Sequence, residues 1–240
     1  MAHHLIQAFE SSDKIELVQV FARKKESIQG SIPKEKITSD YSELKKADLY
    51  IISVSDDAIF EVSERLPFSD SLVVHTSGTK PMDILSDKNR KGVFYPLQTF
   101  SKNKKVNFKE IPICLETENP KDLELLKKAA NLISNKVVEI DSEKRKTLHV
   151  SAVFVSNFVN YLYGIGEEIC TENDIPFEIL KPLIVEVADK INYLSPKEAQ
   201  TGPAKRGDVQ TINSHLEFLK KDKEKRKIYD LLSKAIMKNK

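Results

Sequence analysis

Short apolar runs alternate with longer amphipathic stretches as far as residue 142, and after that only the amphipathic stretches continue. The runs IELVQVFA (15–22), DLYIISV (48–54), SLVVHT (71–76), GVFY (92–95), IPICLE (111–116) and KVVEID (136–141) are rich in β-branched residues. Several are apolar throughout, as strands covered on both faces must be. Between them DAIFEVSERL (57–66) and PKDLELLKKAANLI (120–133) repeat their apolar positions at helical spacing. Asn119 stands at the N-cap of the second, with Pro120 at its first helical position. Strand and helix in turn predict an α/β fold with a doubly wound, mostly parallel sheet.

From residue 143 the pattern is helical only. EKRKTLHVSAVFVSNFVNYLYGIGEEICTEN, FEILKPLIVEVADKINYL, DVQTINSHLEFLKK and EKRKIYDLLSKAIMK form an all-α second half. The expected domains are therefore 1–142 and 143–240, with no Pro/Gly linker between them. LHVSAVFVSNFVNYLY is apolar on more than one face, which predicts burial between two copies of the chain in a homodimer.

Composition narrows the partners. Lys+Arg number 38 and Asp+Glu 36, a net charge of +2, and this near balance argues against nucleic acid as a partner. No apolar run approaches the ~20 residues a membrane span needs, and the N-terminus lacks the features of a secretory signal. A cytoplasmic protein with a small-molecule substrate is expected. The two cysteines, Cys114 and Cys170, have neither disulfide nor metal-ligand spacing and read as core residues, with no metal site. The basic tail from Lys220 reads as a solvated helix face or an anion-binding surface.

A dinucleotide-binding sheet normally opens with a strand, a G-x-G-x-x-G loop and a helix whose N-terminus holds the pyrophosphate. No such motif occurs; the one G-x-G, Gly164 to Gly166, lies inside a helical pattern. The chain starts instead on an amphipathic helix, MAHHLIQAFESS, directly before the first strand. The expectation is that the given sequence begins at an internal Met, about 10 to 15 residues late for a strand and a glycine loop. A variant sheet built without that strand is the alternative.

Candidate chemistry gathers at strand ends. Arg23 and Lys24, after the first strand, suit the 2′-phosphate of NADP, or are merely an exposed basic turn. Ser53 and Ser55 in SVSDDAI, His75, Thr76, Ser77 and Gly78 in HTSGTKP, and the stretch YPLQTF (95–100) follow the next strands, where an α/β sheet binds its ligand. His75 is either a proton donor or a satisfied polar residue at a strand end. On the long helix His149, Ser156 and Asn160 fall within about 20° of one line on an ideal helix, with Asn157 beside them. Such a stripe meets either a ligand or polar groups of neighbouring helices. In AQTGPAKRGDVQTINSH (199–215), Lys205 and Arg206 could hold a carboxylate or phosphate, and Asp208 can cap the next helix.

AHHLIQAF, ADLYIISVSDDAI, VVHTSG, GVFYPLQTFS, LHVSAVFVSNFVNYLY and TGPAKRGD together resemble the motifs of a bacterial family of Rossmann-like proteins with a C-terminal helical domain of unknown function, described as NADP oxidoreductases. The wider superfamily includes pyrroline-5-carboxylate reductase, ketopantoate reductase, deazaflavin-dependent NADP reductase and the 6-phosphogluconate dehydrogenase group. The resemblance implies a Rossmann-like domain, a dimer-forming helical domain and an active site in the cleft between them. The chain departs from the family at its missing strand and glycine loop. It also departs from the 6-phosphogluconate dehydrogenase group at the catalytic Lys, whose place three residues before Asn157 is taken by Phe154. His75, His149 or an ordered water would then protonate the substrate.

The resulting expectation is an NADP-dependent oxidoreductase acting on a small anionic carbonyl or imine compound. Arg23 and Lys24 hold the 2′-phosphate, Ser53, Ser55 and residues 75–78 flank the cofactor, and His149, Ser156, Asn157, Asn160 and Arg206 face the substrate. The alternatives are a non-catalytic nucleotide-binding or sensing protein and a dimeric scaffold with a vestigial cofactor site.

Overall fold

The computed structural model describes residues 1–28, 32–101 and 104–239. It packs as two compact units, Met1–Asn157 and Phe158–Lys240. In order, the first unit comprises α1 (Ala2–Glu10), β1 (Val20–Phe21), β2 (Ile37–Thr38), β3 (Tyr50–Ile52), α2 (Ile59–Glu64), β4 (Leu72–His75), β5 (Arg90–Pro96), β6 (Ile113–Thr117), α3 (Pro120–Ile133), β7 (Val137–Glu139) and α4 (Ser142–Ala152).

The fold is Rossmann-like α/β with helices on both faces of the main sheet. That sheet has five strands in the order β3-β4-β5-β6-β7, parallel throughout except where β5 and β6 run antiparallel. The two-residue alternation of side chains divides β4 and its neighbours between two layers. Leu72, Val74, Phe94, Ile113 and Leu115 point to one face, where they pack with Leu126, Ala129, Ala130 and Ile133 of α3 and with Leu5 and Phe9 of α1. Ile52 and Val73 point to the other, against Ile59 of α2 and Leu85. β4 is buried at every position, which is why its sequence shows no polar alternation. Asn119 caps α3 by accepting from Lys121 N–H at 2.9 Å, with Pro120 in the first turn, as the sequence predicts.

One element departs from the predicted single sheet. The run 15–22 forms a strand only at Val20–Phe21, and its parallel partner is β2, for which the sequence carries no strand pattern. These two make a separate small sheet, with its own cluster of Ile6, Ile28, Ile32 and Ile37. A strand extends only as far as a neighbour satisfies its backbone, and among the described residues β1 has such a neighbour for two residues only.

The predicted boundary at 142 marks where the strands end, whereas the packing divides at 157/158. The difference lies in α4, which joins the first unit through Arg145 and Leu148. Between α4 and the next helix, Val153–Phe158 winds as a π-helix.

The second unit contains α5 (Val159–Glu172), α6 (Lys181–Lys190), α7 (Pro196–Ala199), α8 (Pro203–Arg206), α9 (Val209–Phe218) and α10 (Lys223–Lys238). Lys225 of α10 is buried against three carboxylates, Glu168 at 3.2 Å, Glu172 at 2.9 Å and Asp222 at 3.1 Å, tying α10 to α5. The Glu172 contact above all raises its ammonium above the usual lysine range. No helix is long and apolar enough to cross a membrane among the described residues.

Candidate functional site

At the carboxyl ends of β3, β4 and β5, where parallel strands of an α/β sheet present their loops to a ligand, the first unit holds a cavity of about 530 Å3. That volume lies within the usual range for small-molecule sites. Ser53, Ser55 and Asp56 line it after β3, Thr76–Thr79 after β4, Tyr95 and Gln98 at the end of β5, His149 from α4, and Met1 and Ala2 from the first turn of α1.

The loop after β4 is held by its own side chains. The Ser77 hydroxyl accepts from the N–H groups of Thr79 (3.1 Å) and Lys80 (3.0 Å), a local turn of the kind serine favours. Thr79 Oγ1 donates to Asp56 Oδ2 at 2.6 Å, and Thr76 Oγ1 donates to Ser53 Oγ at 3.3 Å, so this loop and the one after β3 are stitched together. Gly78 has a steric reason. A Cβ there would lie 2.5 Å from His149 Nδ1 and 2.8 Å from Tyr95 Cζ, so only a bare backbone fits against that pair.

Beneath the loop is a buried ion pair. Arg145, 1% exposed, bonds Glu116 of β6, donates to the backbone carbonyl of Lys80, and meets Ser142 Oγ at 3.2 Å. Glu116 also accepts from Ser142 N–H at 2.9 Å, and Ser142 Oγ accepts from Met82 N–H at 3.1 Å. The cluster therefore fastens α4, β6 and the chain just after the cavity loop at one point. Arg145 Nε is the one buried side-chain polar atom among the described residues that has no partner.

The predicted site residues separate into three groups. Ser53, Ser55, Thr76, Ser77, Gly78 and His149 come together on the cavity. His75 does not join them. It is 0% exposed, its Nδ1 accepts from Ser77 N–H (3.1 Å) and its Nε2–H donates to Pro81 O (3.2 Å). Burial, reinforced by Arg145, pushes its pKa down to about 4. With both nitrogens engaged inside the protein, His75 matches the second of the two readings of its sequence position, a satisfied polar residue at a strand end that shapes the loop.

Arg23 and Lys24 stand exposed in the turn after β1 and are not part of the cavity wall. The stripe of His149, Ser156 and Asn160 is interrupted by the π-helical turn, so the alignment expected of an ideal helix does not hold. Ser156 Oγ donates back to Ala152 O at 2.7 Å and lies 3.0 Å from Asn157 Oδ1, a competition with the regular backbone ladder that bends helices. Asn160 is exposed on α5. Arg206 is exposed at the end of α8, beside Gly207 in the left-handed conformation (φ 73°) and Asp208, which caps α9 through Thr211 N–H at 3.0 Å. Backbone and side-chain bonds from Thr211 hold the Asp208 carboxyl below the usual range.

Sequence reasoning passed over Asp56, Thr79, Gln98, Tyr95 and Arg145. The first four lie within stretches it marked as strand-end loops, and the helical pattern of the Lys144-Arg145-Lys146 run gave Arg145 no distinguishing signal. Cys114 and Cys170 are both free and buried, and no group of metal-ligating side chains occurs among the described residues.

The family described as a domain of unknown function (DUF2520) matches residues 111–236, just over half of the chain. A search of curated protein sequences finds no match. Among solved structures, a Bacteroides fragilis protein provisionally named an NADP oxidoreductase is 39% identical, with 99% of this chain and 94% of that one covered and a TM-score of 0.87. A Thermotoga maritima protein is 25% identical over 100% and 95% of the two chains, with a TM-score of 0.81. An imine reductase from Myxococcus stipitatus, solved in complex with NADP+, covers 99% and 89% at a TM-score of 0.60; at 14% identity this likeness is one of fold.

Proposed function

The chain belongs to the DUF2520 family, and from that premise we propose that it is an NADP-dependent oxidoreductase acting on a small carbonyl or imine compound. The observation that carries the reading is the cavity at the ends of β3, β4 and β5, lined by Ser53, Ser55 and Thr76 and with His149 in its wall. The name of the 39% identical Bacteroides fragilis protein supports the same cofactor and reaction class.

The residues present fit a nicotinamide nucleotide. Ser53, Ser55 and Thr76 offer hydroxyl groups along the cavity wall, beside the backbone of the Thr76–Thr79 loop. The first turn of α1 carries no side-chain cap and lines the same cavity, where helix N–H groups favour an anion. Arg23 and Lys24 are assigned the 2′-phosphate, and His149, with Ser156 and Asn157, the substrate. A bound reduced nicotinamide supplies a hydride. The protein's part is to orient the acceptor, exclude water and deliver a proton.

Fluorescence titration tests the cofactor. NADPH is expected to bind more tightly than NADH, and Arg23→Ala to weaken NADPH by about tenfold while leaving NADH unchanged, since a charge-assisted bond to phosphate is worth roughly 1.5–3 kcal/mol. Equal affinity for both nucleotides, or none for either, would refute the assignment. Among the described residues no Lys or Arg lines the cavity wall, which favours a second reading, a nucleotide sensor without turnover. Tight NADPH binding with no oxidation against a panel of ketoacids and cyclic imines would establish it.

The active form is proposed to be a homodimer. In the second unit Ile179, Leu183, Val185, Val187, Ile191 and Tyr193 are each at least half exposed, the last 79%, within one stretch of α6 and its flanks. Apolar area on this scale, left facing solvent, marks an interaction surface. Light scattering at micromolar concentration should give about twice the 27.3 kDa chain mass. Leu183→Glu with Val187→Glu should give the monomer, and a monomeric wild type would contradict the proposal.

A further inference from the structure

We propose that Tyr95 and His149 act together as the proton source of this site, His149 as the catalytic acid and Tyr95 as the residue that positions it. The assignment rests on the oxidoreductase reading and adds a residue to it. Tyr95 Oη lies 3.1 Å from His149 Nδ1. Both line the cavity, the tyrosine from the last turns of the β5 ladder and the histidine from α4.

Geometry points to His149, the histidine of the cavity wall. The wall also holds Asp56, whose carboxyl is engaged by Thr79, Met1 with its amino group, and Tyr95 itself. His75 is sealed below the loop with both nitrogens bonded. Burial pushes the Tyr95 phenol up to about 12, so it keeps its proton near neutral pH and has little tendency to give it away. In the proposed arrangement Tyr95 O–H donates to Nδ1 of the neutral imidazole across 3.1 Å, and the ring hydrogen of His149 sits on Nε2. A histidine's second nitrogen is commonly set in this way by the partner of the first.

The surroundings hold this arrangement in place. Tyr95 packs with Met82, Val93 and Cys114, and Leu148, next to His149 on α4, packs against the same cluster. Gly78 lies over the pair so closely that a Cβ would meet His149 Nδ1 at 2.5 Å and Tyr95 Oη at 2.9 Å. The bare backbone there caps the Tyr95–His149 bond and leaves Nε2 as the imidazole's free edge.

The step balances with a reduced nicotinamide as hydride donor. As the new C–H bond forms at the acceptor carbon, the π pair moves to the oxygen or imine nitrogen. That atom takes the proton from Nε2 of the His149 imidazolium. The ring is left neutral, with Nδ1 now accepting from Tyr95 O–H; in the imidazolium form the same hydroxyl rotates to accept from Nδ1–H. Solvent restores the proton between turnovers.

The test is nitrogen NMR of the histidine-labelled full chain, with His149 identified by its loss in His149→Asn, combined with NADPH titration. At a pH above histidine titration, the expected wild-type spectrum has Nδ1 unprotonated and Nε2 protonated. Tyr95→Phe is expected to mix the tautomers while NADPH affinity stays within about twofold. Gly78→Ala, approaching the pair from the other side, should disturb the same resonances. On any substrate found in the panel, Tyr95→Phe should lower kcat about tenfold with KM little changed and shift the alkaline limb of the pH profile, where the catalytic acid loses its proton, and His149→Asn should lower kcat about a hundredfold. An Nδ1–H tautomer in the wild type, or one unchanged by Tyr95→Phe, overturns the pairing while leaving cofactor binding intact. Failure of the wild type to bind NADPH overturns the oxidoreductase reading and the catalytic role with it.

Discussion

Replacing Arg145 by methionine is expected to lower the unfolding free energy by about 3–5 kcal/mol, the cost of leaving one member of a buried ion pair without its partner. Arg145 is fully enclosed, and Glu116 is the carboxylate that neutralises it. Its loss also frees the Lys80 carbonyl and loosens α4 from the chain that follows the cavity loop. For a chain of this length the melting temperature should fall by about 10 °C or more. A second substitution separates the charge from the packing. Glu116→Gln in the Arg145→Met background removes the orphaned carboxylate yet still accepts from Ser142 N–H, so the double variant should be more stable than Arg145→Met alone. Urea unfolding of the three chains measures both effects, and a single-variant loss under about 1 kcal/mol would contradict the role given to the pair.

The second large effect is on acid stability. His75 has a folded-state pKa near 4 against an ordinary value of 6.5. Above pH 6.5 the ring is neutral in both states and contributes no pH dependence. Between 6.5 and about 4 the unfolded chain takes up a proton that the folded chain refuses, so stability falls as the pH falls. Below about 4 both states carry the proton and the slope ends. At 1.36 kcal/mol per pKa unit the window accounts for about 3 kcal/mol. Equilibrium unfolding followed from pH 7 to 4 should display this loss. His75→Asn, though less stable at neutral pH, should be nearly flat across the same interval. A His75→Asn chain with the full slope would place the acid sensitivity elsewhere.

Both effects come from residues whose importance the sequence disguises to different degrees. His75 is visible as the only histidine at a strand end, but its role there turns on whether the ring faces the cavity or the interior. The peptide N–H of Ser77 and the carbonyl of Pro81 decide that, and both are backbone groups of the loop's folded shape. Arg145 sits between two lysines in a run that any reader would assign to a solvated helix start. Its burial depends on a glutamate 29 positions earlier, on β6. The cavity loops were legible as a set, since small and hydroxylated residues follow each apolar run, whereas the Tyr95–His149 bond spans 54 positions and has no local mark.

The sequence by itself determined which segments are strands and helices in the sheet, because period and β-branching act over a few residues and bury β4, β5 and β6 wherever they pair. It determined the caps at Asn119 and Asp208, which depend on neighbours two or three positions away. It also carried the family motifs. Only the tertiary structure decided that 15–22 narrows to Val20–Phe21 beside an unforeseen β2, since a strand needs a partner's backbone as well as its own propensity. Only it placed a π-helical turn inside the polar stripe and set His149, instead of His75, in the cavity wall. These outcomes depend on which distant groups satisfy a buried nitrogen, oxygen or charge, and a one-dimensional pattern does not encode that choice locally.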